Sequence, residues 1–169
     1  MRRTVLPIAA ILLTAACSGT GAPSVNVSAN DPAASRPADS LDAAGAFKAL
    51  AAAVPSAKLT GTVTAENDPN KLLGRPNQYT SKVTFSDSRI SKSDTQFLKA
   101  GDVELGGAIE MFPDPAAAKT RADYIQSVTK SLPALAEYDY QHSTVLVRVS
   151  HYLTPDQAAA YKAAADKLG

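Results

Sequence analysis

The sequence predicts an α+β domain, an antiparallel sheet of about five strands with three helices in the order α-β-β-β-α-β-β-α, the helices gathered on one face. Three observations support this. Apolar residues recur at helical spacing near 41–54, 115–132 and 155–168. Between those stretches the period falls to two. Helix starts and stops are also marked, by Asp114-Pro115, by Thr154-Pro155-Asp156-Gln157, and by Pro55 and Pro133 at the ends.

Ser40 is placed to cap a helix over 41–54, with Phe47, Leu50, Ala51 and Val54 along one face. From residue 57, Leu59, Val63 and Ala65 alternate with Lys58, Thr60, Thr62 and Thr64, as in a strand with one wet face. The stretch NDPNKLLGRPNQ (67–78) contains two Pro, three Asn and a Gly, so it reads as a long loop. Tyr79, Val83 and Phe85 then alternate with Thr80, Lys82 and Thr84 in a second strand. A third runs over about 104–112, with Leu105, Ile109 and Met111 on one side. Gly106-Gly107 inside it signals a bulge or close backbone packing.

Asp114 followed by Pro115 is a capping carboxylate before a proline suited to the first helical position. Ala118, Ala122, Ile125, Val128 and Leu132 form the buried stripe of that helix. AEYDYQHSTVLVRVS (136–150) reads as a hairpin turning at Gln141-His142-Ser143. Val145, Val147 and Val149 face one way and Leu146 the other, which suggests an interior strand. Thr154 and Gln157 form a capping-box pattern, and the last helix should bury Ala158, Tyr161, Ala165 and Leu168.

Cys17 is the only cysteine in 169 residues. Met1-Arg2-Arg3 is a short cationic start, and Val5 to Ala16 follows as twelve uncharged residues ending in Ala15-Ala16, the layout of a secretory signal. That run is shorter than the roughly 20 apolar residues needed to span a bilayer, so residues 1–16 are expected to be removed. Leu13-Thr14-Ala15-Ala16-Cys17 resembles a bacterial lipobox, with Thr14 where an aliphatic residue is commoner. The resemblance implies diacylglyceryl (palmitate-type) lipid on the Cys17 sulfur. Two acyl chains of about 15 methylenes, at ~0.8 kcal/mol each, suffice for stable anchoring. Arg2-Arg3-Thr4-Val5-Leu6 also looks like a compressed twin-arginine signal, leaving the general secretory and twin-arginine routes both open.

Residues 17–40 comprise Cys17 and a segment rich in Ser, Ala, Pro, Asn, Gly and Asp, without aromatic residues, Leu or Ile. They should form a tether of roughly 25 Å root-mean-square reach. Residues 41–169 remain for a single folded domain. The chain has 17 basic and 16 acidic residues, and loss of Arg2 and Arg3 leaves 15 against 16. Such balance argues against nucleic acid, which calls for clustered Lys and Arg. The lipobox, the tether and the stretch GGAIEMFPDPAAAKTRADYI…ALAEYDYQHSTVLVRVSHYLTPDQAAAY together resemble small exported lipoproteins of Gram-positive bacteria. The likeness covers most of 45–165. It implies display at the extracytoplasmic face of the cell membrane and transfers no catalytic motif.

No catalytic residue or cofactor emerges from the motifs. His142 and His151 should lie at opposite ends of one strand, up to roughly 30 Å apart, and no metal-ligand spacing accompanies them. Ser127-Val128-Thr129-Lys130 matches S-x-x-K, but in the last turn of a helix and without its partner motifs. Glu66, Asn67, Asp68 and Asn70 offer oxygens without the spacing of a calcium loop. Tyr138 and Tyr140, with Arg148 across the hairpin, are the candidate ligand-binding residues, since tyrosine offers contact area and a hydroxyl at low entropic cost. The expected function is a non-catalytic binding domain for an envelope protein, peptide or cell-wall component. The alternative is a small envelope hydrolase or transferase without a recognisable motif. A pocket with convergent, pKa-shifted polar groups would favour the enzyme, and a flat tyrosine-bearing face the binder.

Overall fold

The computed structural model describes residues 41–168. Its elements are α1 (Ala43–Ala53), β1 (Ala57–Thr62), β2 (Ser81–Asp87), β3 (Gly106–Met111), α2 (Pro115–Thr129), β4 (Glu137–His142), β5 (Val145–Ser150) and α3 (Pro155–Ala165). The fold is α+β in the expected element order. All neighbouring strands are antiparallel, in the sheet order β1-β2-β3-β5-β4. The signal at 1–16, Cys17 and the tether to residue 40 lie outside the described residues. No helix among the described residues is long and apolar enough to cross a membrane.

Local chemistry accounts for the helix starts. Asp42, not Ser40, caps α1, its carboxylate accepting the Gly45 amide at 2.8 Å. Asp114 accepts the Ala117 amide at 2.8 Å, with Pro115 in the first turn of α2. At α3 both halves of the capping box form, Gln157 N–H to Thr154 Oγ1 and Thr154 N–H to Gln157 Oε1. These bonds satisfy amides that lack partners inside the helix.

Strand parity then divides the core. Val145, Val147 and Val149 of β5 join Val83, Phe85, Ile109 and Met111 in one apolar layer with Phe47 and Leu50 of α1 and Tyr161 of α3. Leu146 points the other way, into a second layer with Tyr79, Phe112 and the Ala117, Ala118 and Ile125 side chains of α2. The three helices are therefore not gathered on one face: α1 and α3 cover one side of the sheet and α2 the other. An interior strand apolar on both sides needs cover on both sides, which grouping the helices together would deny to Leu146.

Several side chains depart from the alternation for related reasons. Tyr79 precedes β2 and belongs to the α2 layer, not to the layer of Val83 and Phe85. Leu105 falls in a 3-10 turn, Val103–Leu105, before β3. Leu59 pairs with Phe85 but lies on an outer strand and is exposed, and the β1–β2 register shifts just after it, between Leu59 and Gly61. Gly107 lies opposite Phe85, and a Cβ there would stand 2.3 Å from both the Phe85 ring and the Arg148 carbonyl oxygen. Close packing therefore explains this glycine. Phe85 in turn stacks on Tyr161 at 5.5 Å, and the Tyr161 hydroxyl donates to Asp87 at 2.6 Å, fastening α3 to β2.

The loop before β2 is organised by one carboxylate. Asp68 accepts hydrogen bonds from the amides of Asn70, Leu72 and Leu73 and from the Tyr79 hydroxyl. Burial opposes its charge, but these donors prevail and hold its carboxyl at about 2. A carboxyl depressed in the folded state contributes stability above its unfolded value near 4, and the contribution fades as pH falls through its folded value. Asp68→Asn should therefore lose on the order of 2 kcal/mol at neutral pH and remove that part of the acid slope between about pH 4 and pH 2. Urea titrations of both proteins across that range check this.

Candidate functional site

The α2 side of the sheet should be wet by the alternation of its strands, yet α2 covers it and its charges are forced to pair. Lys82 of β2 sits opposite Glu110 of β3, and Arg148 of β5 sits opposite Asp139 of β4. Side chains at these positions project toward α2, which adds Arg121. Glu110 is fully buried and meets three cations: Lys82 Nζ at 2.8 Å and Arg148 Nη1 at 3.2 Å on Oε1, and Arg121 Nε at 3.2 Å on Oε2. Arg148 also grips both oxygens of Glu137 through Nε and Nη2, at 2.9–3.2 Å. Gln126 of α2 donates to Asp139 Oδ2.

Burial and pairing act in opposite directions on these acids. Burial pushes the Glu110 carboxyl up, but Lys82, Arg148 and Arg121 together hold it at about 2. For Glu137 burial wins, and with Asp139 nearby its carboxyl is pushed up to about 7 against the pull of Arg148. Asp139 is likewise raised by burial, against its bond from Gln126.

Beside this cluster lies a cavity of about 750 Å³. Lys82, Arg121, Arg148 and Glu137 contribute to its wall, α2 supplies Tyr124, Ile125 and Val128, and the loops at 69–78 and 101–104 enclose it further. Leu135 of the 3-10 turn Pro133–Leu135 lies on the same wall. The cavity explains a departure from the expected helix stripe. Ala118 and Ile125 are buried, whereas Val128 at the cavity remains 39% exposed and Leu132, beyond the end of α2, 47% exposed.

The structure separates the candidate trio. Arg148 faces the cavity. Tyr138 and Tyr140 sit opposite Val149 and Val147, half-buried against the α1/α3 layer. Their rings stack at 6.4 Å, and the Tyr138 hydroxyl donates to the Leu153 carbonyl at 3.3 Å. Adjacent strand positions point to opposite faces, so Tyr138, Tyr140 and Arg148 cannot form one surface. The tyrosines contribute to packing.

His142 ends β4 at the hairpin turn, while His151 follows the far end of β5 and bonds the Ala136 carbonyl through Nδ1. The Asp68 carboxylate is engaged by its loop, as described above. Ser127 donates to the Tyr124 carbonyl in the last turn of α2. Among the described residues no group of three or more His, Cys, Asp or Glu side chains is arranged to hold a metal ion. Lys82, Glu110 and Glu137 carry no distinguishing signal in the sequence, because an alternating strand position looks the same whether water or a helix covers it, and Arg121 reads as an ordinary polar helix residue. Comparison of the chain with protein families, curated proteins and solved structures found no match.

Proposed function

We propose that this chain is a lipoprotein anchored through Cys17 at the extracytoplasmic face of the cell membrane, and that its folded part is a non-catalytic binding module for a small ligand. The cavity beneath α2 carries the binding role: its volume falls in the usual range for small-molecule sites, and its wall combines apolar surface with a few fixed polar groups. The raised Glu137 carboxyl is the feature that favours the hydrolase or transferase alternative. Both its oxygens are held in the Arg148 fork, however, and the Ser150 hydroxyl at the cavity wall is committed to the Glu104 carbonyl at 2.8 Å. Neither group is poised as a base or nucleophile, which supports binding over catalysis.

Two measurements test this reading. A small-molecule extract of the cell envelope should raise the melting temperature of the full chain, and Val128→Trp, which fills the cavity from an exposed helix position, should abolish the rise. An equal rise in the variant, or none in either protein, counts against a ligand in this cavity. Separately, Cys17→Ser should lose all label from a fatty-acid probe and leave the membrane fraction or accumulate as precursor. Equal labelling of both proteins removes the anchor.

A further inference from the structure

We propose that the cavity takes a ligand bearing one anionic group, a carboxylate or a phosphate monoester, on an apolar body, with the anion seated against Arg121 and Lys82. The inference rests on the binding-module reading and adds the chemistry of the ligand.

Hydrogen-bond capacity points to this class. Arg148 uses Nε and both terminal nitrogens on Glu137 and Glu110. Arg121 uses only Nε, on Glu110 Oε2, so both of its terminal nitrogens have no acceptor among the described residues. Lys82 places one hydrogen bond, on Glu110 Oε1, although an ammonium has three donors. The two cations are held to the two oxygens of one carboxylate, and both residues line the cavity.

These side chains are also fixed and largely withdrawn from water, Lys82 being 5% and Arg121 12% exposed. The Arg121 guanidinium lies over the Tyr124 ring at 5.8 Å while Glu110 holds it from below. An anion reaching this point meets a prearranged planar fork and weak screening, conditions under which charge-assisted bonds are strongest.

The remaining wall limits what else the ligand can carry. Val128 and Leu135 present apolar surface that the fold leaves exposed, suited to an apolar body. Asp102 and Glu104 also line the cavity and would repel a second anionic group. One acid on an apolar body matches this mixture of cationic and apolar lining.

Calorimetric titration of the full chain with decanoate, decyl phosphate, decanol, decylamine and inorganic phosphate tests this. Decanoate or decyl phosphate should bind at least about tenfold more tightly than decanol, the usual scale for hydrogen bonds to a charged group. The tighter of the two identifies the acid. Decylamine and inorganic phosphate, each lacking half of the required chemistry, should bind more weakly still. Arg121→Gln should erase the advantage of the anion over decanol, and Arg121→Lys should restore part of it.

The inference is overturned if decanol or decylamine equals both anionic amphiphiles, or if Arg121→Gln retains the preference. The ligand series on the unaltered chain decides the matter even where the variant folds poorly. Failure of every probe also overturns it. A Val128→Trp-sensitive response to the envelope extract would still support the broader reading.

Discussion

Glu110→Gln should destabilise this protein by about 3–5 kcal/mol, the range for removing one partner of a buried ion cluster. The wild-type carboxylate answers Lys82, Arg121 and Arg148 at once, and none of the three can turn fully to water. Glutamine keeps the shape and one oxygen acceptor but removes the charge, so Lys82 and Arg121 lose the carboxylate that pairs them and Arg148 is left with Glu137 alone. Urea unfolding at neutral pH measures the loss. Adding Lys82→Met to Glu110→Gln should recover part of it by removing one stranded cation. A change below about 1 kcal/mol in the single variant would mean that the cluster does not stabilise the fold as its geometry requires.

Val147→Asp should abolish folding. Val147 is fully buried in the α1/α3 layer, paired with Ile109 of β3 on one side and Tyr140 of β4 on the other. An aspartate there finds only apolar neighbours on that face. Burying it unpaired costs several kcal/mol, comparable to the whole stability margin of a small domain. Loss of the cooperative thermal transition is the expected result, and Val147→Ala, which only trims volume, should retain it.

Much of the architecture was legible because its signals are local. Asp114-Pro115 and Thr154…Gln157 mark helix starts through bonds spanning three residues, and both form as the sequence indicates. The alternation of Val145, Val147 and Val149 likewise encodes one face of β5. What stayed hidden depends on residues distant in the chain. Leu146 shows that β5 has a second apolar side, but not that α2 is the element covering it. Lys82, Glu110 and Arg148 occupy the polar phase of their strands, and that phase fits a solvated face equally well. Only the sheet order, which places β5 between β3 and β4, brings Arg148 beside Glu110. The tyrosines show the converse: residue type alone does not reveal the strand parity that turns Tyr138 and Tyr140 away from Arg148.

The two outer strands carry a further consequence. A sheet margin offers unpaired backbone groups to any extended peptide, and proteins that recruit partners by strand addition keep such a margin straight and open. Here β1 is broken by the register shift between Leu59 and Gly61, which bends and twists it. At the other margin, β4 turns Glu137 and Asp139 inward, and alignment of a new strand there must preserve their pairing with Arg148 and Gln126. Neither rim is a ready rail for a visiting chain. Copies crowded side by side are accordingly protected from zipping into a shared sheet.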